Sequence, residues 1–204
     1  MYDQVADADG LAGLDHPVLE AAKAMRTPGL TRVVQVYTTI GGPIGMPVLA
    51  TVVLALLAWR WRAWDPVLLG LATGAGSLAM TVVGKVVVGR VRPPLADAVP
   101  PYEQSFSFPS GHSLNAMALA GITAYVVVRR LRTRRARVVT VVLAATFGVT
   151  MGLTRVYLGH HWLTDVVVAW ALALGWLSVV ITAHRLFLTT RRRLPDDRTQ
   201  PARA

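Results

Sequence analysis

The strongest constraint on the fold of this 204-residue chain is a series of long apolar segments separated by short basic ones. A helix needs about 20 apolar residues to cross a bilayer, and backbone groups inside lipid are satisfied only in helices or closed barrels. The segments lie near 42–59, 66–88, 113–128, 138–153 and 163–183. They predict an all-α integral membrane protein, a helical bundle of about five to six transmembrane helices.

The two ends of the chain differ from its central part. Charged residues interrupt the apolar positions of residues 1–41 too often for a membrane span. We predict that this N-terminal segment is an amphipathic helix at the membrane interface, with a break at Pro28–Gly29; a disordered segment is the alternative. Residues 42–188 form the predicted transmembrane domain, and residues 189–204 a basic, disordered cytoplasmic tail.

The net charge of +10 comes mostly from arginine. In a soluble protein this charge would suggest nucleic-acid binding, but here the arginines border apolar segments, where anionic lipid headgroups account for them. We therefore expect the membrane as a partner and no nucleic acid. The absence of cysteine excludes disulfides and thiolate metal sites. High arginine and alanine content and the absence of cysteine suggest a bacterium of high genomic GC content, so the predicted location is the bacterial plasma membrane. Nothing in the sequence indicates the oligomeric state.

The loop at 129–137 contains six arginines and sets the predicted orientation. Positively charged loops remain in the cytoplasm, so this loop and the C-terminus are predicted to be cytoplasmic. With five spans, the N-terminus then lies outside. The loop at 89–111 and the stretch at 154–165 fall together on the outer face, which gathers the chemically distinctive residues on one side of the membrane.

The stretch at 154–165, TRVYLGHHWLTD, places ionisable residues between two apolar segments. His161 and Asp165 are four residues apart and would share one face if the last helix has begun there. A carboxylate on one imidazole nitrogen fixes the tautomer and leaves the other nitrogen as a nucleophile or base. The alternative is an interfacial histidine beside a helix-start aspartate. We interpret the neighbouring His160 as an interface residue.

A basic group can form on the same face from Lys85, Arg90, Arg92 and Arg155. Arginine binds phosphate through a planar fork of donors, and lysine adds a point charge. The alternatives are that Lys85 snorkels from a helix end and that the loop arginines contact headgroups. Each of these alternatives is reasonable for a single residue. They are less convincing for the group as a whole, because a pair of histidines lies on the same face.

The tetrapeptide PSGH at 109–112 opens the third apolar segment. Ser110 can cap the helix, Gly111 permits close backbone approach, and the free N–H groups of a helix start bind anions. His112 would then lie beside a bound phosphate. An ordinary helix start after proline is the alternative. Taken together, the stretches predict a phosphate pocket with a nucleophile, an orienting acid and a second titratable group, and without a metal site.

These three stretches resemble the signature of the type 2 phosphatidic acid phosphatase superfamily, which also includes bacterial acid phosphatases and vanadium haloperoxidases. The family pattern is Lys, six residues, Arg-Pro; then Pro-Ser-Gly-His; then Ser-Arg, five residues, His, three residues, Asp. It occurs here, in order, as Lys85 with Arg92-Pro93, Pro109-Ser110-Gly111-His112, and Thr154-Arg155 with His161 and Asp165. Thr154 replaces the usual serine and keeps its hydroxyl. The membrane branch usually has six spans, so this chain departs from the family at its N-terminal segment.

The resemblance implies a role for each matching residue. His161 attacks phosphorus and forms a phosphohistidine, Asp165 orients it, and His112 protonates the leaving oxygen and then activates water. The phosphate oxygens are held by Lys85, Arg92, Ser110, Gly111 and Arg155. The phosphatases of the family need no metal, so no cofactor is expected.

The predicted function is hydrolysis of a lipid phosphate or diphosphate at the outer face of the membrane. Candidate substrates are undecaprenyl diphosphate or another polyprenyl diphosphate, phosphatidylglycerophosphate and phosphatidic acid. One alternative is a non-catalytic protein that binds or transports lipid phosphates, which would not need His112 or the pair of His161 and Asp165. Another is a structural membrane subunit whose basic loops bind anionic lipid or a partner.

Overall fold

The computed structural model describes residues 10–193, and these residues form seven α-helices and two short 3₁₀ turns. The helices are α1 (Asp15–Ala24), α2 (Pro28–Ile40), α3 (Gly45–Trp61), α4 (Asp65–Val88), α5 (Gly111–Val128), α6 (Arg134–Tyr157) and α7 (Leu163–Arg193). The prediction of an all-α membrane bundle is confirmed.

Four helices, α4 to α7, are long and apolar enough to cross a membrane, and α2 with α3 adds a fifth span if this pair, bent by 53°, counts as one. The described residues therefore contain four or five candidate spans. The span predicted at 138–153 is longer in the structure, because α6 begins within the arginine loop, where Thr133 caps Ala136 N at 3.3 Å, and ends only at Tyr157.

Helix α5 forms the centre of the bundle. Its residues Leu114, Ala118 and Ile122 are fully buried. Leu114 and Ala118 pack against alanines of α7, and Ile122 packs in a second cluster with Leu69 of α4 and Leu177 of α7. Because α5 is enclosed by its neighbours, its first residues lie inside the bundle and reach the functional site from within.

The two ends of the bundle differ in chemistry. At one end, Arg129 lies 3.6 Å from Asp65, and the guanidinium of Arg130 stacks on Trp61 at 5.2 Å. The other end contains the last turn of α4, the start of α5, the last turn of α6 and the start of α7. The structure thus confirms that the three motifs share one end of the bundle, opposite the arginine loop.

The helix boundaries of both terminal segments differ from the predicted ones. The N-terminal segment forms two helices, and the break falls at residues 25–27, just before Pro28, with Thr27 capping Leu30 N at 3.3 Å. Helix α7 continues to Arg193, so residues 189–193 prolong the helix rather than begin a disordered tail. Hydroxyls of Thr189 and Thr190 bond carbonyls four residues earlier there. The remainder of the predicted tail and residues 1–9 lie outside the described residues.

Candidate active site

A tight turn after α6 carries the two adjacent histidines. Gly159 has a positive φ of 70°, and a Cβ there would lie 2.4 Å from the carbonyl oxygen of Asp97. Only glycine fits this close approach without strain. The backbone N–H groups of His160 and His161 both bond the carbonyl of Arg155, at 2.9 and 3.3 Å. The turn therefore holds both imidazoles in place relative to the end of α6.

His161 and Asp165 are paired, as predicted, but not through the predicted helical spacing. Helix α7 begins at Leu163, so His161 precedes it. Asp165 lies in the first turn, where its Oδ2 accepts a bond from Trp162 N at 3.0 Å and lies 3.5 Å from His161 Nδ1. An acidic residue at this helix position commonly reaches back to the residue before the helix. The cap, and not a shared helix face, brings the pair together.

Ser107 completes the contacts of this pair. Its hydroxyl donates to Asp165 Oδ2 at 2.5 Å and lies 3.3 Å from His161 Nδ1. The side chains of His161 and Asp165 are 1% and 0% exposed. With Nδ1 facing these oxygens, the tautomer that leaves Nε2 without a proton is favoured. Burial lowers the pKa of His161 to about 4, more than the hydrogen bond with Asp165 raises it, so the imidazole is neutral at physiological pH.

Arg90 has a different role from the one considered in the sequence. It was expected in the phosphate cluster or against headgroups, but its Nη1 donates to Asp165 Oδ1 at 2.8 Å, and its Nη2 donates to Asp15 at 2.6 Å. Each oxygen of Asp165 therefore has its own partners. The reason for the difference is that the left-handed turn at Gly89, with φ of 59°, ends α4 immediately before Arg90, which then lies beside the start of α7.

An anion cradle lies in front of His161. Arg92 Nη2 contacts the carboxylate of Glu103 at 2.8 Å, and Arg155, which is 2% exposed, donates to the same carboxylate. Arg155 also donates to Thr38 of α2 at 3.0 Å, and the Thr154 hydroxyl donates to Thr38 at 3.1 Å. Helix α2 therefore supports the buried arginine, and the hydroxyl of Thr154 supports Thr38.

Glu103 lies at the centre of the predicted catalytic residues. Its carboxylate is 3.9 Å from His112 Nδ1 and 4.0 Å from both His160 Nδ1 and His161 Nε2. Burial by itself raises the pKa of Glu103, but the charges of Arg155 and Arg92 outweigh it and bring the pKa to about 2. An ionised carboxylate thus lies between two guanidinium groups and three imidazoles.

The remaining predicted phosphate ligands are Lys85, near the end of α4, and Ser110 and Gly111 at the start of α5. Lys85 donates to the Ser105 hydroxyl at 3.2 Å, and Arg92 donates to the same hydroxyl at 3.1 Å. Ser110 caps α5, and its hydroxyl accepts from Ser113 Oγ at 2.7 Å. Gly111 is the first residue of α5, where backbone N–H groups have no intrahelical partner.

His160, interpreted from the sequence as an interface residue, is buried within the protein. It is 4% exposed, and its Nε2 lies 2.7 Å from the carbonyl oxygen of Val99. Because Gly159 brings the turn against the loop at 97–99, the ring is enclosed. Burial lowers the pKa of His160 to about 4. Its Nδ1 faces Glu103 and has no hydrogen-bond partner within residues 10–193.

Several polar residues of the site were not singled out in the sequence: Asp15, Thr38, Glu103, Ser105, Ser107 and Thr164. Glu103 and Ser107 lie in the polar loop at 89–111, within ten residues of the PSGH motif. Glu103 is one of only two acidic residues in that loop, and this was the available signal. No sequence signal distinguished Asp15, because a charged residue in an amphipathic segment is ordinarily exposed.

The pH dependence of activity provides a test of the His161 environment. We expect kcat/KM to fall as the pH drops through about 4, because the protonated imidazole lacks a lone pair at Nε2. Arg92 lowers the His161 pKa by charge repulsion, so Arg92→Gln should move this acid limb to higher pH as well as reduce activity. The pH profiles of the wild type and of Arg92→Gln are measured with the same substrate, so the titration of the substrate itself cancels in the comparison. An acid limb at the same pH in both proteins would contradict its assignment to His161.

Comparisons with known proteins identify the family and the fold of this chain. Residues 65–188 match the profile of the PAP2 superfamily. Phosphatidylglycerophosphatase B of Bacillus subtilis strain 168 is 34% identical over 161 residues, which are 78% of this chain and 78% of that protein. The crystal structure of a transmembrane PAP2-type phosphatidylglycerolphosphate phosphatase from Bacillus subtilis matches with a TM-score of 0.79 at 30% identity, covering 87% of this chain and 88% of that one.

A more distant structure shares the fold. LpxE of Aquifex aeolicus matches with a TM-score of 0.67 at 17% identity, over 87% of this chain and 98% of that chain. The profile match at 65–188 takes in all three motifs and four of the membrane helices. Together with the phosphatidylglycerophosphatase relative, it shows that this chain belongs to the PAP2 superfamily.

Proposed function

We propose that this integral membrane lipid phosphatase removes a phosphate group from its lipid substrate through a phosphohistidine on His161, at the outer face of the membrane. One observation carries the mechanism: the cradle of Arg92 and Arg155 holds an anion 4.0 Å from His161 Nε2. A phosphate in that position would lie within reach of the nucleophile and between two guanidinium groups. Charge neutralisation and positioning are what phosphoryl transfer requires of a protein.

The reaction proceeds in two displacements. His161 Nε2 attacks phosphorus, an N–P bond forms, and the bond from phosphorus to the lipid oxygen breaks while His112 gives that oxygen a proton. His112 then takes a proton from water, the resulting hydroxide attacks phosphorus, and the N–P bond breaks to release phosphate. Asp165 stabilises the positive imidazole of the first step, as a carboxylate does in other nucleophile–base systems. Arg92 Nη1 now lies 3.1 Å from His161 Nε2 and would turn to the phosphate.

The surroundings of the cradle suit a lipid better than a soluble ester. Val86, Val87 and Val91 are between 75% and 77% exposed beside Lys85 and Arg92. An apolar surface of this kind at the end of a membrane helix allows a headgroup to enter the cradle while the acyl or prenyl chains remain in the bilayer. The name of the Bacillus subtilis relative makes phosphatidylglycerophosphate the first substrate to test, followed by undecaprenyl diphosphate and phosphatidic acid.

The predicted sidedness follows from charge. The arginine-rich end of the bundle is placed in the cytoplasm by the distribution of basic residues, so the opposite end, with the cradle, faces outside and the C-terminus is cytoplasmic. Labelling of single cysteines from outside intact cells tests this arrangement, since the natural chain has none. A cysteine at Gln104 should react with an impermeant reagent and one at Arg132 should not.

Phosphate release by the purified protein in detergent tests the function. The three candidate lipids are offered with a chelator present, and a His161→Ala variant is the control. Release that survives chelation and is lost in the variant supports a histidine phosphatase that needs no metal, and the fastest lipid indicates the substrate. Binding of these lipids without release by the intact protein would instead support the binding or transport function.

Glu103 is expected to compete with the substrate for the cradle. Glu103→Gln removes the anion held by Arg92 and Arg155, so the KM for lipid and the inhibition constant of inorganic phosphate should fall about tenfold, equivalent to ~1.4 kcal/mol of binding. Steady-state kinetics with added phosphate measure both constants. Asp97→Asn, in the same loop but paired with Lys23 at 2.5 Å, is the matched control. Weaker phosphate binding in the Gln variant would show that Glu103 supports the cradle instead.

A further inference from the structure

Helix α1 begins with a carboxylate that is buried and fully paired. Asp15 is 2% exposed. It accepts bonds from Arg90 Nη2 at 2.6 Å, from Thr164 N at 2.8 Å and from the Thr164 hydroxyl at 2.7 Å. Burial of a carboxylate is costly unless partners of this kind compensate for it. The N-terminal segment is therefore anchored at one defined point of the bundle.

That point adjoins the predicted orienting acid. Arg90 bridges the two carboxylates, since its Nη1 donates to Asp165 Oδ1 at 2.8 Å while its Nη2 donates to Asp15. Thr164 connects the same groups a second time, because its hydroxyl accepts from Arg90 at 2.6 Å and donates to Asp15. Thr164 N also belongs to the first turn of α7, whose N–H groups lack helical partners.

The charges of this network explain why a second carboxylate is useful. With Arg90 alone, the positive guanidinium would offset the negative charge of Asp165, and His161 would gain little electrostatic support as it becomes positive. Asp15 balances Arg90, so the group of two carboxylates and one guanidinium keeps a net charge of −1. The same contacts fix Oδ1 of Asp165, which leaves Oδ2 directed at His161 Nδ1, 3.5 Å away.

We propose that Asp15 is a positioning residue for the reaction: through Arg90 and Thr164 it fixes the orientation and preserves the effective charge of Asp165. The N-terminal helix α1 is then part of the catalytic unit and not only a membrane-surface anchor. This inference rests on the proposed roles of His161 and Asp165.

Substitution of Asp15 tests the proposal in the full-length protein. Asp15→Asn keeps the size and removes the charge, so kcat should fall about 10- to 100-fold, the range seen when outer partners of metal ligands are changed. The KM should change less than about twofold, because the cradle residues are untouched. The acid limb of kcat/KM should move to lower pH, since a negative charge near His161 is lost. Asp15→Glu should restore part of kcat.

Two controls separate positioning from simple anchoring. Glu20→Gln changes an acid on the same helix that is 64% exposed and pairs with Lys23, and it should leave kinetics unchanged. In an Asp165→Asn background, Asp15→Asn should have little further effect, because the group through which it acts is already altered. Any of three results would overturn the proposal. They are an unchanged kcat per folded Asp15→Asn protein, an acid limb of kcat/KM that stays at the wild-type pH, and fully additive losses in the double variant.

A second variant covers the case in which Asp15→Asn does not fold. Thr164→Val keeps the side-chain size and removes the hydroxyl shared by Asp15 and Arg90. It should lower kcat and leave the KM unchanged, and a wild-type kcat would overturn the proposal.

Failure of the mechanism itself has a different signature. If His161→Asn retains full activity, the role of His161 is wrong whatever the Asp15 variants show.

Discussion

His161→Asn is expected to reduce phosphate release by ~10⁴-fold or more, since removal of the nucleophile of another covalent hydrolase costs up to ~10⁶ in kcat. The variant leaves the cradle of Arg92 and Arg155 in place, so the lipid should still bind. The loss should therefore appear in kcat and not in KM. It is measured as phosphate release from a lipid substrate in detergent, per molecule of folded protein.

The covalent intermediate provides the second measurement. Wild-type protein mixed with substrate labelled in the transferred phosphate, and quenched under alkaline denaturing conditions that preserve N–P bonds, should retain label on His161. The His161→Asn protein should retain none. His184→Asn, at the opposite end of the bundle where it bonds Tyr125 at 3.0 Å, is the matched histidine control and should behave as wild type. Label on another residue, or retained turnover in His161→Asn, would refute the mechanism.

His112→Gln should lower turnover of a lipid substrate by 10²–10⁴-fold, the usual contribution of a positioned acid or base. Its effect should depend on the leaving group, because a nitrophenolate leaves without the proton that an alkoxide needs. With a nitrophenyl phosphate the first displacement should survive in the variant, while the second, which needs water to be activated, remains slow. The expected result is a burst of one nitrophenolate per site followed by slow release.

The burst distinguishes acid–base catalysis from phosphate binding. If His112 only held the phosphate, both steps would slow on both substrates and no phosphoenzyme would accumulate. His112 Nδ1 lies 3.9 Å from the carboxylate that occupies the cradle, a distance compatible with either role, so the kinetic experiment decides between them. The absence of a burst, with equal losses on lipid and aryl esters, would contradict the acid–base role.

The membrane bundle could be predicted from sequence because it depends on local properties. The hydrophobicity of about 20 consecutive residues determines whether a helix can cross the bilayer, and basic loops mark the ends. The second span, predicted at 66–88, agrees with α4 at Asp65–Val88. The predicted helix ends were less accurate at the start of α6 and at the end of α7, where arginines belong to the helix. The reason is that arginine is a good helix former.

The predicted site residues could be identified because their types and spacings are local too. Lys85, His112, Arg155 and Asp165 each lie at a helix end, and antiparallel helices alternate the ends that meet. Sequence order alone therefore brought the motifs to one end of the bundle. The chemistry expected of each motif required no knowledge of how the helices pack, and the roles of these residues remain predictions.

The contacts among the motifs required the tertiary structure. Glu103 contacts Arg155 in the cradle, Ser107 lies between His161 and Asp165, and Arg90 links Asp15 to Asp165. These contacts join residues 52 to 75 positions apart along the chain. A carboxylate in a loop or an amphipathic helix has no sequence pattern that distinguishes a buried, paired group from a solvated one. Local sequence thus determined the helices and the reactive residues, whereas packing of the loop and α1 against the start of α7 decided the partners, because burial depends on all surrounding segments at once.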